Sequence, residues 1–155
     1  MKWELPPKAK IYEALSAVAG NRVKLLDATK AEVTSSSGDK KYTVQWAQDG
    51  KAVTSNDNAS HWQGYLGYPI LAVWMLRGEI QYDRDVARHL AGVPWKRLNT
   101  QFRNKYDQAI EHVLKDIESQ GVSRETITSE VNRIAEQVSH LSLERHSSNS
   151  QKSDG

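Results

Sequence analysis

Cysteine is absent from the 155 residues. That excludes a disulfide framework, a thiol nucleophile, an iron–sulfur cluster and any cysteine-ligated zinc. Long apolar runs are scarce too. The most apolar stretch, Tyr65 to Leu76, contains Gly67 and Pro69 and falls short of the about 20 residues that cross a bilayer. It reads as a buried helix, with no membrane partner. Met1 to Lys8 holds no uninterrupted apolar core of the kind a secretory signal carries, so the expected location is cytoplasmic. An excess of one charge is missing as well: 21 Lys and Arg against 19 Asp and Glu leave +2. So small a balance does not demand a nucleic-acid partner without a clustered basic face. The local enzyme signatures Gly-x-x-x-x-Gly-Lys-Ser/Thr, Gly-x-Gly-x-x-Gly, Gly-x-Ser-x-Gly and His-Glu-x-x-His do not occur. The five histidines, His61, His89, His112, His140 and His146, lie far apart, and no two share the one-turn spacing that points both rings at one ion. No metal and no organic cofactor are expected.

What is present suits one folded domain: 38% hydrophobic and 26% charged residues, with four prolines. Residues 1–145 read as a single domain. Residues 146–155, rich in Ser and Asn and without an apolar side chain, read as a disordered tail. Basic charge concentrates in residues 1–54, nine against six, and residues 81–107, six against three, while residues 108–146 are acidic, four against seven.

Period separates the elements. Ile11, Ala14, Leu15 and Val18 follow helical spacing, closed by Gly20-Asn21 as a left-handed cap. Alternation then takes over at Val23 and Leu25, at Ala31 and Val33, and at Tyr42, Val44 and Trp46, with a last strand from Lys51 to Ser55. Turn-forming Ser36-Ser37-Gly38-Asp39 and Gln48-Asp49-Gly50 join these runs into an antiparallel meander of three or four strands. Pro69 opens a helix that Gly78 stops, and Asp83 to Leu90 forms a short helix. One long helix is expected from Trp95 to Gln120. A last helix, N-capped by Ser123, carries Ile127, Val131, Ile134, Val138 and Leu141 as a stripe. The predicted architecture is α+β, a small antiparallel sheet followed by a cluster of helices on one face.

Two segments attract functional interest. Residues 55–69 gather Asn56, Asp57, Asn58, His61, Trp62, Tyr65 and Tyr68, side chains suited to hydrogen bonding and stacking. They are the candidate ligand or partner site. The same residues can instead cap a turn and fill a core, so an open groove and a closed turn are the two alternatives. Asp57 and His61 form the one pairing with acid–base potential, but no nucleophile or oxyanion hole accompanies them. Asp83 and Asp85, two apart at a helix start, read as capping residues. The second segment is basic and aromatic: Lys96, Arg97, Arg103 and Lys105 beside Trp95 and Phe102 could join phosphate contacts to base stacking. A solvated helix face is the commoner source of such charge, because polar residues must cover the outside of any amphipathic helix.

Residues 42–76 resemble the SWIM-type zinc-binding module, in which a β-hairpin ends in Cys-x-Cys and a Cys-x-His stands at the start of a following helix. Here Tyr42-Thr43-Val44-Gln45-Trp46 precedes Ala52-Val53-Thr54, which runs into Ser55-Asn56-Asp57, and Gly67-Tyr68-Pro69-Ile70-Leu71-Ala72-Val73 matches the helix start. The resemblance places Ser55, Asp57, Gly67 and Pro69 at the four ligand positions, where they could not rebuild the zinc site. It implies a metal-free ββα core and an interaction role, since such modules bind DNA or proteins. Losing a structural metal forfeits folding free energy of order 10 kcal/mol. Trp74, Trp95, Phe102, Ile110, Val113 and Leu114 can replace it, at roughly 1.5–3 kcal/mol for each well-buried side chain. The expected function is therefore a non-enzymatic binding module with a protein partner. A homodimer through the last helix is an allied expectation, and nucleic-acid binding near residues 95–105 is the alternative.

Overall fold

The computed structural model describes residues 3–146. The first helix, α1 (Lys8–Ala19), follows Pro6-Pro7 and buries Ile11, Tyr12, Ala14, Leu15 and Ala17. Its left-handed cap residue is Asn21, at φ 56°, while Gly20 stays at φ −87°. Asparagine's short polar side chain tolerates that region nearly as glycine does.

Four antiparallel strands follow: β1 (Val23–Asp27), β2 (Lys30–Thr34), β3 (Lys41–Trp46) and β4 (Ala52–Ser55). Register sets Val23 against Val33, Val33 against Tyr42 and Val44 against Ser55. Because side chains alternate along a strand, Ala31, Val33, Val44, Trp46 and Val53 share one buried face, while Lys30, Glu32, Thr43, Gln45 and Thr54 line the other. Gly50, at φ 74°, supplies the left-handed residue of the β3–β4 turn. A fifth strand, β5 (Glu144–Arg145), joins β4 in parallel after the last helix, completing the order β1-β2-β3-β4-β5. Two residues carry no readable alternation, so this strand lay outside the meander expected from periodicity. His146, at the start of the expected tail, still donates its N–H to Val53 O. Residues 147–155 lie outside the described residues.

Helix α2 (Tyr68–Leu76) buries every residue from Pro69 to Met75, as its apolar run predicts. It lies between the sheet and α1, contacting β2, β3 and β4 on one side. Trp46 and Trp74 meet edge to face with ring centres 5.9 Å apart, and the Arg77 guanidinium stacks on both. Around α1 gather α3 (Arg84–Arg88), α5 (Tyr106–Ser119) and α6 (Arg124–Ser139), with α4 (Trp95–Gln101) against α5. The result is α+β, with the helices on one face of the sheet. Asp83 caps α3, accepting from the N–H groups of Asp85 and Val86, and Ser123 caps α6 by accepting from Glu125.

The long helix expected from Trp95 is broken. Arg103 and Asn104 adopt φ of 54° and 63°, and a left-handed pair cannot continue a right-handed helix. Lys96 and Arg97 therefore stand on α4, while Arg103 and Lys105 lie in the turn before α5, and the four do not share one helical face. The α6 stripe is also differently used. Ile127, Val131, Ile134 and Val138 are 0–2% exposed within the single chain, and α6 contacts α1, α3 and α5. These four side chains are therefore spent on the chain's own core, while Leu141, the fifth of the stripe, is partly buried. Among the described residues no helix is long and apolar enough to cross a membrane.

Candidate functional site

A cleft of about 390 Å³ opens where α1, the β2–β3 turn, the segment after β4 and the α4–α5 region converge. One anchor holds this geometry. Trp95 Nε1 donates to Ser16 Oγ at 2.7 Å, buried, across 79 residues of chain. One turn farther along α4, Asn99 Nδ2 donates to Glu13 Oε1 at 2.9 Å, one turn back along α1. The two contacts thus set the helices side by side in opposite directions. The β2–β3 turn then closes on the start of α4: Lys96 N–H donates to Ser36 Oγ at 2.9 Å, and Lys96 Nζ lies 2.7 Å from Asp39 Oδ2. The Lys96 ammonium, with hydroxyl donors from Ser37 and Ser35, holds the exposed Asp39 carboxyl well below the usual carboxylate range.

At the buried end stands Glu13, 6% exposed. Burial pushes its carboxyl above the ordinary range, opposed by the charge of Lys10 and the bond from Asn99. Lys10 Nζ lies 3.7 Å from Glu13 Oε2 and 5.0 Å from the centre of the Tyr106 ring. Burial alone would lower the Lys10 ammonium, but Glu13 and the neighbouring Tyr106, Tyr65 and Asp57 more than offset it, so the cation is held. Tyr42, Tyr65, Tyr68 and Tyr106 line the walls. Tyr42 and Tyr68 meet at a right angle with centres 6.2 Å apart. Burial raises the phenols of Tyr68, Tyr42 and Tyr65, leaving them neutral hydroxyls. Asn99 Oδ1 is buried and, among the described residues, accepts no hydrogen bond.

The segment between β4 and α2 is half groove and half turn. Residues Ala59–Gln63 form a short π-helical turn. Asp57, 5% exposed, locks that turn: its carboxylate accepts from Ser55 Oγ at 2.5 Å and from Ser60 N–H at 3.1 Å. Ser60 Oγ in turn accepts from Gly67 N–H at 3.0 Å. Ser55, Asp57 and Gly67 therefore converge, and Pro69 is buried in the first turn of α2. Asp57, Asn58, Tyr65 and Tyr68 line the cleft. Asn56 does not: it extends the sheet, its Oδ1 accepting from Thr43 N–H at 2.9 Å. His61 is exposed and lies outside the cleft lining. Trp62 belongs to the π turn, and its side chain lies outside the described residues.

Of the basic and aromatic segment, Trp95 and Lys96 line the cleft, while Arg97, Arg103 and Lys105 are exposed and outside its lining. Lys10, Glu13, Arg22, Lys40 and Tyr106, all lining residues, went unrecognised in the sequence. A signal existed for one of them, because Glu13 and Ser16 interrupt an otherwise apolar buried face of α1. For Arg22 and Lys40, at strand and turn boundaries, no local pattern points inward. Among the described residues no three His, Cys, Asp or Glu side chains are placed to hold a metal ion.

A family model described as "Uncharacterised conserved protein UCP014422" matches residues 3–144, and the chain belongs to that family. No curated protein and no solved structure matches it.

Proposed function

We propose that this protein is a non-catalytic binding module and that its recognition element is the cleft bordered by Glu13, Tyr42, Asn58 and Asn99. One observation carries the reading. Residues from Lys10 to Tyr106 are brought together around a single opening of about 390 Å³, within the size range of small-molecule sites. The lining mixes aromatic walls with buried polar groups, the composition that orients a ligand. A cleft of this size favours a small polar molecule over the face of a protein partner, which buries on the order of 800 Å² per side. Asp57 is engaged by Ser55 and Ser60, which fits a carboxylate that shapes the site and does not react. The convergence of Ser55, Asp57 and Gly67 supports a metal-free SWIM-like junction, with a hydrogen-bonded carboxylate holding the strand end to the helix start.

The test is an NMR screen of the full chain against a fragment library of mixed charge. Fragments should shift the backbone amides of Glu13, Tyr42, Asn58, Asn99 and Tyr106 together. Binding confined to other surfaces, or no binding at all, would overturn the assignment.

A further inference from the structure

The cleft has two chemically different ends. Its buried end holds Glu13, which lies 3.7 Å from the Lys10 ammonium and takes an N–H from the Asn99 amide. The mouth is different: Lys40 and Lys96 are exposed there, with Ser36 beside them. Four cationic side chains, Lys10, Arg22, Lys40 and Lys96, line the cleft against two carboxylates, Glu13 and Asp57. Asp39, at the same mouth, is engaged with Lys96, and even with it counted the lining keeps a positive excess. Between the two ends stand the four tyrosine rings, and flat rings are bound best by another flat ring, stacked or edge-on.

We propose that the cleft takes a small organic anion built on a flat ring, with the ring against the tyrosines and the anionic group between Lys40 and Lys96. The inference rests on the reading of the cleft as the recognition element. A nucleoside monophosphate and an aromatic carboxylate both satisfy it, since each joins a flat ring to an anion several bonds away. Lys96 then exchanges its contact with Asp39 for one with the ligand, and the charge-assisted bond anchors the end of the ligand nearest solvent.

Calorimetric titration of the full chain separates the possibilities. The ring anions are AMP, GMP, UMP and indole-3-acetate, and the controls are adenosine and inorganic phosphate. At least one ring anion should bind ten times tighter than either control, and the nucleotide and carboxylate arms identify the anion's chemistry. In a chain carrying Lys40→Ala and Lys96→Ala, both exposed positions, that affinity should fall at least tenfold while the circular dichroism spectrum is unchanged. Failure of all four ring anions, binding no tighter than the controls, or affinity indifferent to the lysines would each overturn the proposal. The fragment screen keeps its failure distinct from that of the cleft: neutral or cationic fragments shifting Asn99 and Tyr106 would sink the ring anion alone, whereas silence there sinks both.

Discussion

Gly67 passes so close to Asp57 that a methyl group added to it would stand 2.0 Å from the carboxylate Oδ2 and 2.8 Å from Ser60 Oγ. Its φ of −74° is open to any residue, so glycine is required for space and not for backbone freedom. Gly67→Ala must displace a buried carboxylate from the bonds that hold the π turn. We expect a loss of about 3 kcal/mol, at the upper end of overpacking costs, measured by urea denaturation. Wild-type stability in the variant would mean the turn relaxes freely.

Trp95 and Ser16 offer a second test. Trp95→Phe leaves the hydroxyl of Ser16, 0% exposed, without its donor, at a cost of about 1–3 kcal/mol. Adding Ser16→Ala removes the stranded group, so the double variant should be more stable than Trp95→Phe alone. A double-mutant cycle showing strict additivity would remove the bond from its anchoring role.

The pH dependence of stability should carry a signature of Glu13. A carboxyl whose native pKa is raised by burial holds its proton more tightly folded than unfolded. Its contribution is complete below the unfolded value of about 4.3 and is lost as pH rises through the raised native value. Glu13→Gln keeps an acceptor for Asn99 and cannot ionise. Denaturation between pH 4 and pH 8 should show the Gln chain gaining on the wild type with rising pH. The reverse trend would place the attraction of Lys10 above the burial penalty.

Substitution in the α6 stripe distinguishes core from seam. Ile134 is fully buried, so Ile134→Ala should cost about 2–5 kcal/mol. Sedimentation velocity should show the same species for variant and wild type. A wild-type dimer that the substitution splits into folded monomers would restore the seam.

Local chemistry carried a good part of the architecture into the sequence. Alternation at Val33, Tyr42, Val44 and Trp46, the caps Asp83 and Ser123, and the unbroken apolar run of α2 each follow from short-range rules of period and hydrogen bonding. The break at Arg103-Asn104 escaped because helical spacing of Leu98, Phe102 and Tyr106 continues across it, and a spacing rule does not register a reversal of φ. Strand β5 escaped because its partner, β4, lies about 90 residues earlier.

The candidate site divides the same way. Asp57, Asn58, Tyr65, Tyr68 and Lys96 were legible as unusual polar and aromatic residues, while Asn56 and His61, equally conspicuous, stand outside the cleft. Composition cannot separate them, since which side a polar residue faces depends on the register of the turn that carries it. Lack of cysteine, by itself, determined that no thiolate chemistry or thiolate-bound metal occurs in these 155 residues. Only the tertiary structure decided what takes the space: pairing of Trp95 with Ser16 brings α4 along α1, and that single crossing sets Asn99 against Glu13 in the wall of the cleft.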